Sequence, residues 1–170
     1  MNNWRAQMIR LDEGDLDDMM ALQSRMVAAL PSPRWYFTSS RDEFAREVRD
    51  GRVTGIRGED GLIALCIFHK AAENPDNCYA ARVGRRETTS VDFQDVMVDP
   101  AWRRRGIHSA FLALCEENAR REGLSAVYAT VDPDNAPSCG AFEKAGYRRI
   151  AVQPAYDGRI RAYYRLALDK

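Results

Sequence analysis

The stretch from Thr88 to Gly123 constrains this chain more than any other. Thr88–Val98 reads as a long strand whose apolar positions (Val91, Phe93, Val96, Val98) change phase near Asp95–Met97, as a β-bulge makes them do. Pro100 breaks the strand. Ile107, Ala110, Phe111, Leu114, Cys115 and Ala119 then recur at helical spacing to about Glu122, and Gly123 supplies the stop. A strand handed so directly to an amphipathic helix calls for a sheet covered by helices.

The flanks agree with that requirement. Ala6–Leu11 reads as a short opening strand, and Leu16, Met19, Met20, Gln23, Met26, Val27 and Leu30 predict a helix that Pro31 and Pro33 end. Ser40 followed by Glu43 is a capping box that opens a second helix through Phe44, Ala45 and Val48 to Gly51. Val53–Arg57 and Leu62–His69 are β-rich and split by a Gly-Glu-Asp-Gly turn, a hairpin signal. Tyr79–Val83 reads as an extension of a strand edge. Ala126–Val131 is a strand, Asn135–Ala145 a helix ended by Gly146, and Tyr147–Val152 a strand again. In the last strand Ile160, Ala162, Tyr164, Leu166 and Leu168 alternate with Arg159, Arg161, Tyr163 and Arg165. The order β-α-α-β-β-β-α-β-α-β-β predicts one mixed sheet in a single domain, 1–170.

Composition excludes several classes. Lys+Arg and Asp+Glu both total 25, which argues against a dedicated nucleic-acid binder. No apolar run reaches the ~18–20 residues of a membrane span, and the opening Met1-Asn2-Asn3-Trp4-Arg5 lacks the layout of a signal peptide. Cys66, Cys78, Cys115 and Cys139 form neither a CxxC nor a short Cys/His pairing, so they read as free thiols in a reducing cytoplasm rather than as a metal or disulfide site. No metal is expected.

The chemistry concentrates at the turn. Between Pro100 and the helix lie Trp102-Arg103-Arg104-Arg105-Gly106-Ile107-His108-Ser109. A helix N-terminus offers unpaired N–H groups and about half a positive charge. Gly106 has no Cβ to keep a ligand off the backbone. Three arginines at a helix start oppose its dipole, at ~0.3–1 kcal/mol each near the first turn, so a cluster there is better explained by a bound anion than by decoration. Neither GxxxxGK[ST] nor GxGxxG occurs, which excludes a P-loop and the dinucleotide fingerprint.

This stretch resembles the cofactor motif of the GNAT superfamily of acyl-CoA N-acyltransferases, [QR]-x-x-G-x-[GA], with Arg103 at its first position and Gly106 at its fourth. His108 stands where Gly or Ala is usual. It is read either as a donor to a phosphate, with its pKa rising beside the anion, or as a helix-start histidine facing solvent or substrate. The resemblance covers most of the chain. It implies an α/β (α+β) fold with a single mixed, mostly antiparallel sheet of about seven strands and about four helices, splayed between the strands 88–98 and 126–131. It also implies acetyl-CoA as acyl donor. Arg103, Arg104, Arg105, Gly106, Ile107, His108 and Ser109 would line the pyrophosphate. The backbone of Val96, Met97 and Val98 would pair with the pantetheine arm. In a second cofactor segment Asn135, Ser138 and Phe142 would meet the pantetheine or thioester, although Asn135 is equally a helix N-cap.

Amine acylation by a thioester needs a route for the ammonium proton and donors for the oxyanion, but no covalent nucleophile. Asp95, near the bulge, stands where many relatives carry an acidic residue and is the candidate base. Asp92 and Glu87 are weaker candidates. Phe142 replaces the family's frequent tyrosine and cannot donate a proton. Ser138, Cys139, Tyr128 and Tyr164 are substitutes with no strong support. The segment joining the first two helices supplies Arg34, Trp35 and Tyr36, which could wall an acceptor pocket or simply plug a proline-bounded loop. Arg161 and Arg165 could attract an acidic acceptor or be solvated sheet charges. Three readings stand: acetyl transfer to a small-molecule amine, to a protein lysine or N-terminus, or a non-catalytic acyl-CoA sensor. Partners are thus acetyl-CoA and an unidentified amine, with a homodimer left open.

Overall fold

The computed structural model describes residues 3–155 and 157–168. Met1, Asn2, Tyr156, Asp169 and Lys170, which the expected domain includes, lie outside the described residues. In chain order the elements are α1 (Trp4–Gln7), β1 (Met8–Arg10), α2 (Leu16–Ala28), α3 (Arg41–Arg49), β2 (Val53–Gly58), β3 (Gly61–Lys70), α4 (Tyr79–Arg82), β4 (Ser90–Val98), α5 (Ile107–Arg121), β5 (Ala126–Val131), α6 (Ala136–Lys144), β6 (Arg148–Ala155) and β7 (Arg159–Ala167). The strands follow the hydrogen-bonding order β1-β2-β3-β4-β5-β7-β6. The pairs β1–β2, β2–β3, β5–β7 and β6–β7 are antiparallel. Only β4–β5 is parallel among the described pairings, from Ser90↔Ala126 to Phe93↔Ala129. No helix among the described residues is long and apolar enough to cross a membrane.

The chain forms two compact units, and each is assembled from separate stretches. One takes the chain up to Ile67 with Asp95–Phe111. The other takes Phe68–Gln94 with everything from Leu112 onward.

In the first unit α2 buries Leu16, Met19, Leu22, Gln23 and Met26, a stripe at the helical period. These side chains pack with Leu11, Phe44, Val48, Val53, Leu62, Leu65, Ile67 and Met97. Each large member, such as the fully buried Phe44, contributes ~1.5–3 kcal/mol of transfer energy. Gln23 is the polar exception. Its amide donates to Ser39 O at 2.8 Å and accepts from Ser39 N–H at 2.9 Å, which ties the segment between α2 and α3 to the helix. The capping box at α3 is present in both directions, Ser40 with Glu43. The backbone N–H of Ser40 and its hydroxyl hold the Glu43 carboxyl below its ordinary range.

The opening strand begins two residues later than expected, because Ala6 and Gln7 belong to the helical turn α1. A local cap explains this: Asn3 Oδ1 accepts from Ala6 N–H.

In the second unit Phe142 stacks on Tyr164 (5.5 Å, 21°) and meets Phe93 and Tyr147 edge-on. Tyr79–Val83 is not a strand edge. It forms the turn α4, whose first N–H, that of Tyr79, donates to Asp92 Oδ2 at 2.9 Å. A buried carboxylate ahead of two alanines outweighs the β-propensity of Tyr and Val. The expected one-sided alternation of β7 also fails at its centre, where Arg161, Ala162, Tyr163 and Tyr164 are all buried. Arg161 is neutralised there by Asp132 at 3.3 Å. Arg165 is held by Glu87 at 2.7 and 2.9 Å. Both arginines are consumed within the fold and are not solvated lures for an acidic acceptor.

Candidate functional site

Asp95 adopts φ 46°, a left-handed backbone that costs an ordinary L-residue ~1–2 kcal/mol and that aspartate tolerates better than most. This is the bulge. Beyond it Met97 is the core residue, while Val96 and Val98 are half-buried, which reverses the inward positions expected for those three. The half-buried Asp95 carboxylate accepts from the Tyr36 hydroxyl at 3.5 Å. Burial, followed by the Asp95 charge and the hydrogen bond to it, raises the Tyr36 phenol well above its ordinary range. Tyr36 therefore stays protonated. Two residues expected in different roles, acceptor wall and base, meet here. Arg34 is exposed and Trp35 half-buried in the single 3₁₀ turn just before Tyr36.

Asp99 closes β4 and builds the next turn. Its N–H donates to Ile63 O at 2.8 Å, and its Oδ1 accepts from Ala101 N–H at 2.9 Å. Its Oδ2 takes the Arg25 guanidinium of α2 at 2.7 Å. Burial works to raise the Asp99 carboxyl, but Arg25 and the Ala101 N–H outweigh it and leave it below its ordinary value.

The arginine run follows. Arg103, Arg104 and Arg105 are exposed. Arg104 has φ 61° and Gly106 φ 80°, so two left-handed residues flank Arg105. The Arg105 guanidinium lies 4.6 Å from the Trp102 ring centroid, and Trp4 meets Trp102 edge-on at 6.1 Å. The Trp4 indole N–H donates to Arg105 O at 2.7 Å. Gly106 O accepts from Ala110 N–H at 3.0 Å, so α5 starts there and aims the N–H groups of Ile107, His108 and Ser109 along its axis. Nothing lies within 4 Å of where a Gly106 Cβ would stand. The backbone faces open space flanked by cations, a seat that suits a phosphate. Burial pushes the half-buried His108 imidazole down to about 4. It is neutral at pH 7.

The remaining candidates lie in the second unit. Asn135 caps α6, its Oδ1 accepting from Ser138 N–H at 3.3 Å. Phe142 is 3% exposed and its ring is committed to the aromatic core. Glu87 is pulled down to about 2, chiefly by Arg165 against the opposing effect of burial, with Tyr128 and Ser125 adding donors. It makes a poor base. Asp92 is 2% exposed, and burial pushes it up to about 7 against the Tyr79 N–H and the charges of His69 and Arg82. It borders a cavity of about 230 Å³ with His69, Asn77, Tyr79, Arg82 and Gln94. All four cysteines are buried thiols outside any disulfide, and burial pushes the Cys115 thiol far above its ordinary value. Among the described residues no group of three His, Cys, Asp or Glu side chains could hold a metal ion. Trp4 and the Arg25–Asp99 pair escaped sequence reasoning. They lie outside the motif and carry no periodic signal.

Residues 18–147 match the sequence model of the acetyltransferase (GNAT) family. Among solved structures, the chain is similar to the ribosomal-protein-S18-alanine N-acetyltransferase of Escherichia coli, at 17% identity and TM-score 0.69 over 96% of this chain and 94% of that one. It is also similar to yncA, a putative acetyltransferase from Salmonella typhimurium with its cofactor acetyl-CoA, at 20% identity and TM-score 0.69 over 96% and 94%. A probable acetyltransferase from Staphylococcus epidermidis gives 13% identity and TM-score 0.72 over 95% and 98%. At these identities the likeness is one of fold. A comparison with curated protein sequences returns no match.

Proposed function

This chain belongs to the GNAT family of acetyltransferases, and on that premise we propose that it transfers the acetyl group of acetyl-CoA directly to the primary amine of a small molecule. The observation that carries the donor is the loop 103–109, where a bare left-handed glycine, a helix start and exposed arginines converge. Arg103 and Arg104 supply charge to the diphosphate, and the N–H groups from Gly106 to Ser109 supply direction. The backbone of Val96–Val98 offers strand-type pairing to the pantetheine amides.

Asp95 is the proton acceptor in this reading. It is half-buried rather than sealed, whereas Asp92 is shielded and Glu87 is locked in an ion pair. The acceptor ammonium gives one proton to Asp95, directly or through water, and the free amine nitrogen forms the bond to the acyl carbon. The carbon–sulfur bond breaks with its electron pair going to the CoA sulfur, and the second proton on nitrogen passes to solvent. The Tyr36 hydroxyl, protonated throughout, steadies the carboxylate. CoA leaves as a thiolate, a fair leaving group at neutral pH.

Thiol release measured with acetyl-CoA against a library of small amines and peptides tests the proposal. Small amines should turn over faster than any lysine or N-terminal peptide. Asp95→Asn should lower kcat by roughly 10²–10⁴-fold with the acetyl-CoA Kd unchanged, and Tyr36→Phe should shift the pH profile of kcat. Absence of binding at millimolar acetyl-CoA would defeat the proposal, and binding without thiol release on any amine would make the protein a sensor.

A further inference from the structure

The peptide joining Arg105 to Gly106 is gripped from outside any cofactor motif. Trp4 lies on α1, 101 residues earlier, and is 6% exposed. Its indole N–H donates to the Arg105 carbonyl at 2.7 Å, a short bond for a nitrogen donor. A peptide unit is planar and trans, so its C=O and N–H point in opposite directions. Fixing the Arg105 carbonyl therefore fixes the direction of the Gly106 N–H. That N–H stands at the start of α5, on a residue whose Cβ position is open and whose neighbours are exposed arginines.

The residues on either side of Arg105 are both left-handed. Such a backbone persists at a non-glycine residue only where its surroundings over-determine it. Here the surroundings are the Trp4 hydrogen bond, the Arg105 guanidinium over Trp102 and the Trp4–Trp102 edge contact. They also occupy the Arg105 side chain, whose Nη2 donates to Ala101 O at 3.5 Å.

We propose that Trp4 is a positioning residue for the donor substrate: through the Arg105 carbonyl it holds the Gly106 N–H, and with it the anion loop, in the orientation that receives the diphosphate of acetyl-CoA. The proposal rests on the acetyl-CoA reading above. Its consequence falls on affinity and not on acyl chemistry, because a loop ordered in advance costs less to order on binding.

Two variants test it. Trp4→Phe removes the N–H and part of the ring. Replacing Trp4 by 3-benzothienylalanine removes only the N–H, since sulfur takes its place in a ring of the same shape. Isothermal titration with acetyl-CoA needs no acceptor, and amide NMR reports Gly106 directly. Both variants should bind acetyl-CoA about two- to tenfold more weakly, the worth of one net hydrogen bond. The kcat on the best amine should stay within twofold of wild type. The Gly106 cross-peak should move in the free protein, and its displacement on adding acetyl-CoA should shrink. If Trp4→Phe unfolds, the benzothienylalanine protein decides, because it keeps the packing. Wild-type affinity and an unmoved Gly106 cross-peak in that protein would overturn the proposal and leave Trp4 a packing residue. Failure of the wild type itself to bind acetyl-CoA would instead defeat the functional reading on which the proposal rests.

Discussion

Replacing Asp92 by Asn should make this protein more stable at pH 8 and leave it almost unchanged at pH 4. Asp92 is 2% exposed, its Oδ2 is used by Tyr79 N–H, and its Oδ1 has no donor among the described residues. Burial raises its pKa from 3.8 to about 7. The folded protein therefore holds this proton more tightly than the unfolded chain does, and stability falls as pH rises from about 4 through 7. Each factor of ten in proton affinity is ~1.36 kcal/mol, so three factors of ten set an upper bound of ~4 kcal/mol. Relaxation around the adjoining cavity should leave about half of that. Asparagine keeps an acceptor for Tyr79 N–H and cannot ionise. Urea unfolding of both proteins across pH 4–8 measures the effect, and the difference between their stabilities should widen steadily from about pH 4 to about pH 7, by ~2–4 kcal/mol in all, and level off above that. His69 and Arg82 are the charged groups acting on Asp92, so the pair of curves should be repeated in a His69→Gln background. Parallel curves in both backgrounds would refute the claim that ionising Asp92 opposes folding.

Gly106→Ala should cost ~1–2 kcal/mol, because φ 80° strains any L side chain even though its Cβ meets nothing, and it should also weaken acetyl-CoA binding. Gly123→Ala, at φ 71°, should show a similar fall in Tm with no change in that affinity, and equal effects on binding would remove the special status of Gly106. Glu87→Gln should lose stability at neutral pH that the wild type has above pH 4.5 and surrenders as pH falls through about 2. The linkage bound is roughly 3 kcal/mol, and about half of it should survive solvent screening of this partly open pair; unfolding curves that coincide at pH 7 would contradict it.

The elements legible in the sequence were those whose signal is local. The Ser40–Glu43 box, the Gly-bounded hairpin between β2 and β3 and the stripe of α5 each state their geometry within a few residues. The irregularity at Asp95 was legible as a break in alternation, although which residues turn inward beyond it was not, since a positive φ re-aims the side chains that follow. Tyr79–Val83 misled because the group that caps its helical turn, Asp92, lies 13 residues downstream. Arg161 and Arg165 misled for the same reason: Asp132 and Glu87 are 29 and 78 residues away, and alternation says nothing about where a counter-charge comes from. In the candidate site the exposed arginine run and the left-handed Gly106 at the start of α5 were legible from composition. The Tyr36–Asp95 contact and the Trp4 grip, spanning 59 and 101 residues, were not.

That last separation has a consequence in time. During synthesis at ~5–20 residues per second, Trp4 is made about 5–20 seconds before the carbonyl it will hold. The first helical turn must wait through the making of α2, α3 and the β2–β3 hairpin before its partner exists. On the positioning role proposed for Trp4, the loop 103–109 reaches its working shape only when the beginning of the chain docks against it, which makes diphosphate binding a late acquisition in the life of each molecule.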